Sequence, residues 1–146
     1  MNILALDIAT HTGWCTKTSH GTWKLSALRD ESKGMKLIRF KKHLKEICAL
    51  EEIHMIIFEM SSGQHRGALG VQNELIGIMK LFCEENGIMY ASFPSSTIKK
   101  HATGKGNANK EMMIKAAQEK LGYDGNDDDE ADAMWIYDLS KSHYGA

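Results

Sequence analysis

The 146-residue sequence predicts a single α/β domain built on a five-stranded mixed sheet flanked by helices. Three observations carry this. Two short apolar runs, "NILALDIA" and "IHMIIFEM", read as buried strands. The segment between them opens with Thr- and Trp-containing stretches that suit an antiparallel pair. Apolar residues elsewhere recur at three- and four-residue steps, as on amphipathic helices.

The elements follow in order. "NILALDIA" is a strand that ends near Asp7, and an apolar strand of this kind belongs in the middle of a sheet. "GWCTKTS" and "GTWKLS" complete a three-stranded meander over residues 1–26, with a turn expected at His20-Gly21. From about Lys33 to Leu50, Leu37, Phe40, Leu44 and Ile47 line one face of a helix with lysines outside. Ile53–Met60 is a buried strand carrying Glu59 near its end. The loop "SSGQHRG" leads into a helix lined by Leu75, Ile76, Met79 and Phe82 that stops at Asn86-Gly87. "IMYASF" is the fifth strand, closed by Pro94, the only proline. A short helical piece, "SSTIKKHA", the loop "TGKGNAN" and a helix from Lys110 to Leu121 come next. The last helix is expected from about Asp127 to Ser142. The order βββ-α-β-α-β-α-α gives a meander plus two parallel strands, without repeats or linkers.

Composition excludes several classes. No stretch approaches the roughly 18 apolar residues of a membrane span. "MNILALDIA" lacks a basic flank and contains Asp7, so it is a poor signal peptide and the expected location is cytoplasmic. Cys15, Cys48 and Cys83 form no Cys-x-x-Cys, and no histidine sits at zinc-ligand spacing, so reduced and mostly buried thiols are expected. The net charge of −1 does not announce a polyanionic partner, but local charge is uneven. From Pro94 to Lys120 six lysines face two acids, and Lys33, Lys36, Arg39, Lys41, Lys42 and Lys45 form a second basic stretch.

The acids are more telling. Asp7 and Glu59 each end a buried strand, where an isolated carboxylate is costly. A turn cap with Thr10 or Thr12 is the plain alternative for Asp7. If the two strands are parallel neighbours, both acids lie at the sheet edge where α/β proteins bind ligands. The third element is "NDDDEADAMWI", where six of the nine residues from Asp124 to Asp132 are acidic. Helix-dipole compensation explains one or two of them. At 100° per residue Asp128, Asp129 and Asp132 project near the side bearing Trp135, Ile136 and Leu139. No well-placed lysine or arginine is evident for so many acids. Carboxylates this close raise one another's pKa, and Mg²⁺ or Mn²⁺ relieves the repulsion. Asp127 and Glu130 are left to solubility and the helix dipole. "TGKGNANK" matches neither common nucleotide-binding loop and suits a nucleic-acid backbone better. His11, His65 and His101 are read as loop residues near the carboxylate edge, as surface or substrate contacts rather than ligands.

With these residues in place, a resemblance emerges. "ALDIATHTG" resembles the opening of the ribonuclease H-like, or retroviral-integrase, superfamily: strand, Asp, and a Gly six residues on. "IIFEM" resembles its second catalytic strand. "DEADAMW" and "IKKHATGKGNANKE" are similar to the final helix and the lysine-bearing loop of the RuvC-type Holliday junction resolvases. The motifs occur in the family's order and cover most of the chain.

The resemblance implies one RuvC-like nuclease domain over residues 1–146. It implies a metal-binding tetrad of Asp7, Glu59, Asp129 and Asp132, with Asp128 as rival to Asp129. It implies Lys99 and Lys110 near the scissile phosphate, with Lys110 counted among the catalytic residues. Two Mg²⁺ ions per site, replaceable by Mn²⁺, would serve phosphodiester hydrolysis, and a homodimer would suit a two-fold junction. Lys99, Lys100, Lys105, Lys110, His65 and Arg66 are the expected nucleic-acid contacts. The expected substrate is branched DNA. The alternatives are RNA or an RNA–DNA hybrid, or binding of branched DNA without cleavage. One departure is that Met60-Ser61-Ser62-Gly63 follows Glu59, where the family often has an aromatic residue.

Overall fold

A computed structural model describes residues 1–60 and 66–145, with the backbone alone for 66–69. The strands are β1 (Ile3–Asp7), β2 (His11–Cys15), β3 (His20–Lys24), β4 (Met55–Met60) and β5 (Met89–Pro94). The helices are α1 (Met35–Glu51), α2 (Arg66–Asn86), α3 (Ser95–Thr103), α4 (Lys110–Lys120) and α5 (Asp128–Tyr144). The sheet order is β3-β2-β1-β4-β5. β1 pairs antiparallel with β2 and parallel with β4, and β4 pairs parallel with β5. The mixed sheet and the central position of β1 are as the sequence predicts. No helix among the described residues is long and apolar enough to cross a membrane.

The alternation of side chains along a strand sorts the core into two layers. Leu4, Leu6 and Ile8 of the β1 segment join Ile56 and Phe58 of β4 on one face, packed with Phe40, Leu44 and Ile47 of α1 and Leu75 and Met79 of α2. Ile3 and Ala5 join Met55 and Ile57 on the other face, against residues of α3, α4 and α5. Continuing that parity, Asp7 and Glu59 fall on the α5 side of the sheet. The β1–β4 register runs from Ile3 opposite Met55 to Leu6 opposite Phe58, so the next step sets Asp7 beside Glu59.

One detail differs from the sequence reading. The β2–β3 turn lies at residues 16–19 rather than His20-Gly21. Thr16 hydrogen-bonds to the Ser19 carbonyl at 2.8 Å through its amide, and its Oγ1 accepts from the Ser19 amide at 3.2 Å. A threonine hydroxyl thus supplies the turn chemistry. Gly21 instead makes room for the Trp14 indole, which a Cβ would meet at 3.0 Å. Trp135 packs in the core layer between α5 and the sheet with Ile3, Ala5, Met55 and Ile57, and its Nε1 also donates to the Met113 carbonyl of α4 at 3.2 Å. The three cysteines are free; Cys15 and Cys83 are buried and Cys48 half-buried.

Candidate metal centre

The site is built where α5 meets the carboxyl ends of β1 and β4. Gly13 of β2 is paired with Asp7, and a Cβ there would lie 1.9 Å from the Asp129 carbonyl oxygen. The absent side chain lets the first turn of α5 rest directly on the sheet beside Asp7, a close approach that only glycine permits. Asp127 caps this helix: its Oδ1 accepts from the amides of Asp129 at 2.9 Å and Glu130 at 3.0 Å. Capping fixes the first turn and so the directions in which Asp128, Asp129 and Asp132 leave it.

Four of the carboxylates act on one another. Asp7 is only 8% exposed, and its pKa is raised well above the ordinary carboxylate range, first by burial and then by Glu59, Asp132 and Asp129. Burial also raises Glu59, with Asp129 adding to the effect and Lys99 opposing it. Asp132 is pushed up to about 8 by burial, Glu59, Asp128 and Asp129, again opposed by Lys99. Asp129 is raised by burial, while a hydrogen bond from His11 pulls the other way. The turn-cap alternative for Asp7 does not hold, because the Thr12 hydroxyl bonds the Ala9 carbonyl and amide instead. The Asp7 carboxyl instead shares a hydrogen bond with that of Asp129, a second acid rather than a cation.

Crowded carboxylate oxygens, with pKa values raised by burial and mutual repulsion, fit a hard divalent cation. Asp7, Glu59, Asp129 and Asp132 are the residues that could hold one or two such ions.

The rival aspartates face different partners. Asp129 hydrogen-bonds with Asp7, whereas Asp128 Oδ2 lies 3.5 Å from Lys110 Nζ at the start of α4. Lys110 is therefore a cation placed at the acidic helix start, one that sequence spacing did not reveal. Lys99 is a second, through its pull on Glu59 and Asp132. Lys99 and Lys100 lie on α3 and Lys105 in the α3–α4 loop. His65 and the Arg66 side chain lie outside the described residues.

Some side chains have roles that the sequence reading missed. Glu130 is not a free surface acid: it bonds His20 Nδ1 at 2.5 Å and accepts from the Tyr123 hydroxyl at 2.9 Å, tying α5 to β3. His11 opens a strand rather than lying in a loop, and its Nδ1 is 2.7 Å from Asp129 Oδ2 and 4.0 Å from Asp127 Oδ2. His101 lies in α3 and pairs with Asp138 at 2.8 Å. The alternation along β2, which sets His11 on the same side as Gly13, is the one sequence signal for the first of these contacts.

No protein-family model matches the sequence, and neither does any curated protein. Solved structures do. RuvC of Thermus thermophilus in complex with a Holliday junction substrate superposes with a TM-score of 0.78 at 16% identity, over 99% of this chain and 94% of that one. A second Thermus thermophilus RuvC structure gives 0.78 at 17%, over 99% and 97%. The yeast mitochondrial Holliday junction resolvase Ydc2 gives 0.61 at 12%, over 97% and 82%. The chain has the ribonuclease H-like fold of the RuvC-type resolvases.

Proposed function

We propose that this chain is a divalent-metal-dependent, structure-selective endonuclease. It cleaves branched DNA and resolves four-way junctions by paired nicks, as a homodimer of single nuclease domains. The observation that carries this is the convergence of Asp7, Glu59, Asp129 and Asp132 at one sheet edge, where burial and mutual repulsion raise all four pKa values. Perturbed carboxylates gathered at the end of an α/β sheet favour a working site over a structural one. The fold shared with resolvases, one of them bound to a Holliday junction, adds support.

In this reading Asp7, Glu59, Asp129 and Asp132 hold two Mg²⁺ ions, for which Mn²⁺ substitutes. The bound ions supply an activated water and charge stabilisation at the leaving oxygen. Lys110, which is 79% exposed and lies 3.5 Å from Asp128 Oδ2, would neutralise the scissile phosphate. Lys99 reduces the acid repulsion and, with Lys100, Lys105, His65 and Arg66, holds the backbone. Phosphate contacts of this kind make binding weaken steeply with salt.

The test incubates the protein with a labelled four-way junction, a linear duplex and an RNA–DNA hybrid, with Mg²⁺ or EDTA. Symmetric nicks in the junction alone, abolished by EDTA, are expected. Preferential cleavage of the hybrid would shift the substrate to RNA–DNA. Binding without cleavage would leave a branched-DNA-binding protein.

A further inference from the structure

We propose that His11 is itself a ligand of this centre, and that its imidazole biases the site toward a transition-metal ion over Mg²⁺. The inference rests on the metal-dependent reading above and adds a donor that the four carboxylates do not supply.

Placement comes first. His11 shares a face of β2 with Gly13, and Gly13 is where the first turn of α5 comes down onto the sheet. The ring is thereby set over the helix start. Its Nδ1 stands 2.7 Å from Asp129 Oδ2 and 4.0 Å from Asp127 Oδ2, and one ligand atom from each of the three residues lies within 4.8 Å of the others. Ligands bound at about 2.1 Å in an octahedron are about 3.0 Å apart when adjacent and about 4.2 Å when opposite. The two distances fall close to those values.

The second observation links that cluster to the buried acids. Asp7, with 8% of its surface exposed, shares a hydrogen bond with the Asp129 carboxyl and is crowded by Glu59 and Asp132. Asp129 is therefore common to Asp7 on one side and His11 on the other. Asp127 spends Oδ1 on capping α5, while its Oδ2 is the atom turned to the imidazole. The chemistry follows from the donor type. Imidazole nitrogen contributes little to Mg²⁺, which takes oxygen ligands, and strengthens binding of transition-metal ions. The competing role is a hydrogen bond from His11 that only aims Asp129.

Mn²⁺ is the probe, because its unpaired spins report bound nitrogen. Electron spin-echo measurements on the Mn²⁺-loaded protein should show imidazole-nitrogen coupling that disappears in His11→Gln. The Mn²⁺ dissociation constant should rise about tenfold or more in that variant, and the Mg²⁺ constant by less than about threefold. Mn²⁺ bound to the wild type without nitrogen coupling, or coupling that survives in His11→Gln, would remove His11 from the ligand set and leave the carboxylate centre standing. Absence of Mn²⁺ binding altogether would overturn both this inference and the metal-dependent reading beneath it.

Discussion

The sheet carries acids at both ends, and the two ends treat them differently. At the amino end Glu51, the last residue of α1, accepts hydrogen bonds from Thr16 Oγ1 at 2.9 Å, Thr18 Oγ1 at 2.7 Å and Ser19 Oγ at 3.3 Å. Three hydroxyls of the β2–β3 turn satisfy one carboxylate. At the carboxyl end Asp7, Glu59, Asp129 and Asp132 have chiefly one another, with Lys99 and His11 as partial relief. A satisfied carboxylate holds a fold together, whereas buried carboxylates short of donors cost stability and persist where something else binds them.

This contrast can be broken most sharply by substitution at each end. Asp7→Asn or Asp132→Asn should lower junction cleavage by about 10³-fold or more while leaving junction binding intact. Glu51→Gln should leave cleavage unchanged. Retained cleavage in both aspartate variants would dissolve the distinction between the ends.

Gly13→Ala tests whether the helix start must touch the sheet. The added Cβ would collide with the Asp129 carbonyl, a backbone atom that cannot swing aside. We expect a loss of about 3 kcal/mol or more, a melting temperature lower by roughly 6–12 °C, and cleavage reduced together with metal affinity. Normal metal binding in a folded Gly13→Ala protein would mean that the acids do not depend on this contact.

The pH dependence of the metal-free protein probes the cost of the unpaired end. Asp132 keeps its proton to about pH 8 when folded but releases it near the ordinary 3.8 when unfolded. Between those values the native state binds more protons than the unfolded state, so stability falls as pH rises through the window. In EDTA the melting temperature should decline from pH 5 to pH 8. Asp132→Asn should flatten the decline and raise the melting temperature at pH 8 by about 3 °C. A melting temperature that rises with pH would have the wrong sign. The smallest effect belongs to the satisfied end: Glu51→Gln should cost about 1 kcal/mol, or roughly 2–4 °C, at every pH in that range.

Much of this was legible in the sequence because it depends on period and order. The two apolar runs ending in Asp7 and Glu59 announce parallel neighbours, and their register then follows from strand geometry. The spacing of Asp129 and Asp132 on a helix places both on its inner side. Contacts made by fully folded side chains were not legible. His11 and Asp129 are 118 residues apart, and their meeting depends on how closely α5 approaches Gly13. Lys110 reaches Asp128 only because the starts of α4 and α5 lie together, and Glu130 finds His20 and Tyr123 across the sheet edge. The β2–β3 turn was misplaced because a threonine hydroxyl, rather than His20-Gly21, makes it.

The central claim is that the carboxyl-end acids are left short of donors because divalent cations bind them. Thermal unfolding at pH 8, with Mn²⁺ added to a saturating level, tests it directly. Ligand at about 100 times its dissociation constant stabilises by about 2.7 kcal/mol, so the wild type should gain roughly 5–10 °C. Asp7→Asn should gain almost nothing. An equal gain in both proteins, or none in the wild type, would contradict the account.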